Sequence, residues 1–388
     1  MRDVVVVGAG PAGLLFARIL ASLGHDVVVL EEHDTIGVPV HCTGLLGLDA
    51  FTEFDLPRHT IMATADRARF VAADGSSVAL EAESVRAAVI DRARFDQALA
   101  DAGRSAGAEI RVASRVRTIA IDGAGVSITI DGGTPPIEAR ACVIACGANY
   151  RFNRQLGLGV PRAFVQSAQL ERPFDGPDEV EVHLGRDVAP SGFAWVVPFR
   201  RDDRRSNRLG LMCDSRALPR FRAFAARTRA RFGLGDQAWQ EPRLKVLPLG
   251  PVNRTYSTRA LAIGDAAGLV KPTTGGGIYY SLISAQLAAA TLDRALRADD
   301  LRAWRLREYE SAWKARLGSE IRTGLAFRNL ASRMSDRAID ALIDLARVDG
   351  IVPLLRQTAD FNWHRRSALA LLRHTQFRRI LLRQIVSS

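Results

Sequence analysis

The stretch VVVVGAGPAG, residues 4–13, restricts the fold of this 388-residue chain more than any other segment. Four consecutive valines suit a strand buried on both faces of a parallel sheet. Gly8, Gly10 and Gly13 follow, then an apolar helical pattern, LLFARILASLG, ending at Gly24, and a second strand, DVVVLEE. That order is a βαβ unit. The glycines differ in what they allow: Gly8 the tight turn, Gly10 close backbone approach to a pyrophosphate, Gly13 helix–strand packing. The helix N-terminus then points free N–H groups at phosphate. Glu31, 18 residues beyond Gly13 at the end of the second strand, can accept from ribose hydroxyls. The ordered set predicts dinucleotide binding.

A second glycine-rich segment, RALAIGDAAGLVKPTTGGGIYY, repeats strand, turn and helix near residue 260. Asp265 follows Gly264 at the strand end, and Gly275, Gly276 and Gly277 open the next helix at Ile278. A carboxylate there suits the polyol linker of a flavin, and a helix N-terminus stabilises negative charge on the reduced ring. A glycine loop that merely closes helix on strand is the simpler alternative. Two matched nucleotide signatures in one chain argue against it.

Between them lies a helical pattern over residues 91–110, then a hairpin (RVRTIAI, VSITI) and the apolar strand ARACVIACG. From about 160 to 250, short alternating stretches (VEVHLG, FAWVVPF, RLGLMC) predict an antiparallel sheet. From 300 onward the pattern is helical. The expected architecture is α/β: a Rossmann-like FAD-binding domain (residues 1–60, 85–155 and 255–298) interleaved with an antiparallel-sheet substrate domain (61–84 and 156–254), followed by a helical region over 299–388.

Apolar residues at 47% and charged residues at 24% fit a globular core and exclude a disordered chain. No apolar run reaches a bilayer-spanning length, and the N-terminus lacks a signal-peptide pattern, so the expected location is the cytoplasm. The four cysteines show no metal-ligand spacing, and no metal is expected. The net charge of +11 concentrates at the C-terminus, where residues 301–388 carry 17 Lys+Arg against 8 Asp+Glu. The tail from His364 has six arginines, no acid, and apolar Leu369, Leu372, Phe377, Ile380 and Leu381. It reads either as a helix lying peripherally on an anionic membrane or as an ordinary surface helix. No nucleic-acid motif accompanies the charge.

GAGPAG with Glu31, VIDRARFDQALADAGRSAGAEI and AIGDAAGLVKPTTGGGI resemble the FAD segments of p-hydroxybenzoate-hydroxylase-like flavoproteins. Within that superfamily, EEHDTIGVPVHCTGLLG and GFAWVVPF resemble the geranylgeranyl reductase family. The resemblance covers about residues 1–290. It implies noncovalent FAD, a substrate tunnel, and saturation of carbon–carbon double bonds in an isoprenoid chain of a lipid, quinone or pigment. NADPH and ferredoxin are the candidate electron donors. By the same resemblance, Gly8, Gly10, Gly13, Glu31 and Arg92 bind the adenosine diphosphate part. Gly264, Asp265, Gly275, Gly276, Gly277 and Ile278 hold the ribityl chain and ring. Cys42 lies beside the ring, and Phe193, Trp195 and Pro198 line the substrate cavity.

Reducing an isolated alkene requires proton donation alongside hydride delivery, hence an acid near the ring and a dry pocket. Cys42 and His41 are the candidate catalytic residues, with Tyr279 or Tyr280 as a further candidate acid and Tyr279 as a substrate contact. A desolvated thiol keeps its proton, which suits a donor. On the residues alone, Cys42 reads first as a small filler in a turn, and Phe193 and Trp195 as core; the resemblance reverses the reading of Cys42. One departure stands out: hydroxylases of the superfamily carry an Asp-Gly pair where this chain has Cys146-Gly147 and Ala148-Asn149. An aromatic or quinone monooxygenase is therefore the second reading, and a non-catalytic prenyl-lipid-binding flavoprotein the third. A flavin halogenase is set aside because no lysine precedes Lys245.

Overall fold

In the computed structural model, residues 1–81, 86–133, 135–235, 239–348 and 350–386 are described. The predicted βαβ unit is present: strand Arg2–Val7, helix Pro11–Ser22 and strand Val27–Leu30, with Val4, Val5 and Val6 fully buried. They belong to an eight-stranded sheet in which Arg2–Val7 runs parallel to both Val27–Leu30 and Ile137–Ile144. Ala260–Ala262 extends it in parallel beside Ile137–Ile144, which brings both glycine-rich segments to one edge of the sheet. Gly13 can only be glycine here, because a Cβ would stand 2.2 Å from the Gly8 carbonyl oxygen.

The helical pattern over 91–110 is shorter than its periodicity implies. The helix is Arg92–Ser105, capped by Asp91, whose carboxylate accepts from the Ala93 and Arg94 amides. Gly107, at φ +102°, ends it, and Glu109–Arg111 turns into a parallel edge strand beside Val27–Leu30.

A seven-stranded sheet takes strands from two regions of sequence. It runs in the order Arg243–Pro248, Phe164–Pro173, Arg204–Cys213, Phe193–Arg201, Val180–His183, Arg67–Val71 and Ser77–Glu81. It is antiparallel except where Val180–His183 pairs in parallel with Arg67–Val71. Its outer face (Ala194, Val196, Leu209, Leu211) is covered by the helix Ala217–Arg231 through Phe221 and Phe224. Ile61–Ala65, expected within this sheet, instead pairs with Ala87–Ile90, which also pairs with Leu45–Gly47. That small sheet is wedged against the inner face through Val89, Val180, Val197 and Phe199.

The C-terminal quarter is helical, from Ala303–Ala331 to Thr375–Val386. No helix among the described residues is long and apolar enough to cross a membrane. The apolar side chains that suggested a membrane-facing tail are used inside the protein. Phe377 and Leu381 are buried with Met334, Ala338 and Ile351, and Leu372 and Ile380 pack against them. The structure therefore favours the ordinary-helix reading over the interfacial one.

Replacing Gly13 by Ala should lower the unfolding free energy by about 1–3 kcal/mol through overpacking. Thermal and denaturant unfolding check this, and an unchanged midpoint would contradict the close approach.

Candidate active site

The first glycine loop has the shape of a cradle. A Cβ on Gly10 would meet nothing within 4 Å, and the same holds for Gly147, at φ +66°, in the loop that replaces the hydroxylase Asp-Gly pair. Glu31 Oε2 accepts from the Ala9 amide at 2.8 Å, while Oε1 is bound by the His33 ring at 2.6 Å. Arg92 pairs with buried Asp96 at 2.8 Å, leaving its Nε buried without a partner. Burial works against the Arg92 charge, but Asp96 and Cys42 outweigh it and hold that charge more firmly than in an ordinary arginine. Open backbone at Gly10 and an orphaned guanidinium N–H form a donor set suited to a dinucleotide phosphate.

The second segment closes the cradle from the other side. Asp265 lies in the short turn Gly264–Ala267, its carbonyl accepting from the Tyr150 hydroxyl at 2.8 Å. Gly277 precedes the helix Ile278–Arg297, and a Cβ there would lie 2.5 Å from the Asp265 carboxylate. Lys245, on the seven-stranded sheet, faces the same carboxylate at 3.8 Å. Gly275, at φ +69°, approaches Leu247 and Met212 of that sheet. The glycine loop thus packs directly against the inner sheet face at Gly275.

Strand register defines the inner face. Phe193, Trp195, Val197 and Phe199 alternate onto it, opposite Met212, Gly210, Arg208 and Ser206. The Trp195 ring lies against Gly210, where a Cβ would be 2.3 Å away, and its Nε1 is buried without a partner. Phe193 packs beside it, centroids 5.7 Å apart. Pro198 lies on the opposite face. It cannot share their cavity, because a strand without a bulge presents alternate residues to opposite sides.

The PVHCTG loop is held by a residue that sequence reasoning passed over. Arg208 is 1% exposed. It donates to the Thr43 and Ile90 carbonyls and, at 3.0 Å, to Glu171, with its guanidinium 4.9 Å from the Phe199 ring centroid. A Cβ on Gly44 would come within 2.7 Å of this guanidinium, so the glycine is required by Arg208. The Thr43 hydroxyl donates to Gln169 at 2.6 Å, fixing the loop to the inner face a second time. Cys42 is half-buried, its sulfur accepting from the Gly44 amide at 3.3 Å, and it is electrostatically coupled to both Arg92 and Arg208. His41 lies beside it, exposed. Partial burial and the neighbouring charges of Lys245 and Arg243 hold its ring toward the neutral form.

Tyr279 and Tyr280 are buried and engaged elsewhere. The Tyr279 hydroxyl donates to Glu53 at 2.6 Å, and both rings pack on Trp363. Burial raises both phenols well above their ordinary range. Trp363 belongs to a segment, DFNWH, that returns from the C-terminal helices to the ring-side loop. Lys271, buried in that loop, donates to the Phe361 carbonyl at 2.8 Å and to Asn362 at 3.3 Å. Burial lowers its pKa to about 8, and nearby Asp360 and Asp49 resist that shift. Asn362 also bonds Asp49, and His364 bonds the Thr273 hydroxyl. A polar-aromatic cluster interrupting an otherwise helical tail was the available sequence signal.

The chain is similar to several known proteins. The family model described as lycopene cyclase protein matches residues 3–341. A digeranylgeranylglycerophospholipid reductase 2 of Methanopyrus kandleri is 30% identical over 371 residues, covering 91% of this chain and 92% of that protein. A reductase of the same name from Methanothermobacter thermautotrophicus is 30% identical over 382 residues, 92% and 96% of the two chains. Among solved structures, a geranylgeranyl bacteriochlorophyll reductase-like protein of Thermoplasma acidophilum shares the fold at TM-score 0.84 with 22% identity, over 99% of both chains. The halogenase PltM in complex with phloroglucinol and FAD shares it at TM-score 0.68 with 16% identity, over 98% of this chain and 90% of that one.

Acid should loosen the DFNWH contact. Burial, reinforced by Lys271, lowers the His364 pKa from 6.5 to about 3, so the unfolded chain takes up this proton first as pH falls. The stability that His364 contributes is complete above pH 6.5 and declines by at most about 1.4 kcal/mol per pH unit toward pH 3. His364→Gln should flatten that part of the pH–stability profile; parallel profiles would refute the assignment.

Proposed function

The chain belongs to the lycopene cyclase family and, within it, to the geranylgeranyl reductase group of FAD-dependent oxidoreductases, and we propose that it saturates carbon–carbon double bonds of an isoprenoid chain carried by a lipid. The observation that carries this reading is the placement of the Cys42–Gly44 turn. Arg208 locks it at the junction of the nucleotide cradle and an inner sheet face that presents Phe193 and Trp195.

The cradle fits FAD: Gly10 is open, Arg92 keeps a free buried donor, and Asp265 meets the start of the helix at Ile278. FAD bound there would, once reduced by an external two-electron donor, supply the hydride. This chain's residues do the rest. Gly8, Gly10, Gly13 and Arg92 take the phosphates, while Asp265 and the Gly275–Gly277 backbone orient the linker and ring. Phe193 and Trp195, on the sheet face that also carries Met212 and Leu247, present apolar surface suited to keeping water from a developing carbocation. Cys42 positions or supplies the proton, with His41 as its neighbour toward solvent. Tyr279 and Tyr280 take no part in proton transfer, because their rings are packed and the Tyr279 hydroxyl already donates to Glu53.

Incubating the reduced protein anaerobically with a prenylated glycerophospholipid should give products heavier by two mass units per saturated bond. Flavin never reoxidised by any prenyl substrate would overturn the assignment. Cys42→Ser should leave FAD content unchanged and lower turnover at least tenfold. Undiminished turnover would return Cys42 to the role of a small residue in a turn.

A further inference from the structure

A cavity of about 830 Å³ opens beside the PVHCTG loop, which lines it through Val40, between the start of the helix Arg92–Ser105 and the seven-stranded sheet. Its lining includes Arg92, Arg94, Arg200, Arg201, Arg208 and Arg243. The lining also holds five carboxylates, so the pairing among these charges decides what remains. Glu171 is taken by Arg201 at 3.0 Å and by Arg208 at 3.0 Å. Asp91 caps the helix and faces Arg201 at 3.5 Å, and Glu241 is bound by Arg222 at 2.7 Å. Asp202 and Asp203 form the exposed hairpin turn at the rim, where the Asp203 carbonyl accepts from Arg200.

Arg94 and Arg243 make no ion pair among the described residues, and both line the cavity. They reach it from opposite sides, Arg94 from the first turn of the helix and Arg243 from the sheet, where it pairs in register with Gln169. Gln169 itself holds Thr43, so this cavity and the Cys42 turn share a wall. Opposed guanidinium groups with no carboxylate of their own match a phosphate, which takes several N–H donors at once. The volume is far larger than a free ion requires and suits a phosphorylated group carried by a larger molecule.

We propose that this cavity, which shares Gln169 with the wall of the Cys42 turn, binds a phosphate-bearing ligand through Arg94 and Arg243. Two molecules supply that chemistry: a nicotinamide dinucleotide acting as electron donor, and the phosphorylated head of a prenyl substrate. The site goes beyond the alkene reduction proposed above, and its occupancy can be measured without that reaction.

Isothermal titration of the FAD-loaded protein with inorganic pyrophosphate reads the cavity directly. Wild type should bind, and R94A/R243A should bind at least tenfold more weakly with unchanged flavin absorbance. R94K/R243K should recover part of the loss. No binding to wild type, or equal affinity in the alanine variant, would overturn the site while leaving the reductase assignment standing. Two kinetic arms separate the sources. A raised NADPH concentration for half-maximal anaerobic flavin reduction in R94A/R243A identifies the donor. A raised geranylgeranyl diphosphate concentration for half-maximal reoxidation, with flavin reduction unchanged, identifies the substrate head. If neither shifts, the cavity is not a ligand site.

Discussion

The buried guanidinium of Arg208 is the interaction on which the candidate site depends. It joins three separate pieces of chain: the Thr43 carbonyl of the Cys42 turn, the Ile90 carbonyl of the small sheet, and Glu171 of the large one. Burying a cation is costly unless its donors are met, and a guanidinium, with five N–H groups in a rigid fork, can meet several acceptors at once. A lysine would place all its donors on one nitrogen and lack the planar fork that spans these acceptors. Gly44 follows from the same contact, since any side chain there would collide with Arg208. The turn that presents Cys42 is therefore shaped from the opposite sheet rather than by its own residues.

What the sequence made legible is local. The Val4–Val7 strand, the glycines after it and the acid at Glu31 act within one supersecondary unit, and their spacing carries the geometry. What it concealed depends on pairing across distance. Leu45–Gly47 and Ile61–Ala65 are short strands that become a sheet only when Ala87–Ile90 lies between them. Arg208 looked like the charged start of an alternating strand, and nothing nearby in sequence marks it as buried. Glu109–Arg111 was absorbed into a helical pattern because apolar spacing continues past the glycine that ends the helix. Pro198 was grouped with Phe193 and Trp195 by motif, although strand parity separates them.

The inner face of the seven-stranded sheet carries both apolar and cationic side chains. Met212 and Leu247 meet Gly275, Phe193 and Trp195 pack side by side, Arg208 holds the Cys42 turn, Lys245 faces Asp265 and Arg243 lines the neighbouring cavity.

The Lys271 clasp has a consequence for how the protein is made. The ring-side loop is translated about 90 residues before Phe361 and Asn362, the groups that receive its buried ammonium. Until that segment emerges from the ribosome, Lys271 has no acceptors of its own and the wall behind Gly276 is unfinished. The nucleotide cradle, complete in sequence by Ile278, can thus be assembled while the site is still open at the back. The segment around Phe361 and Asn362 then closes it.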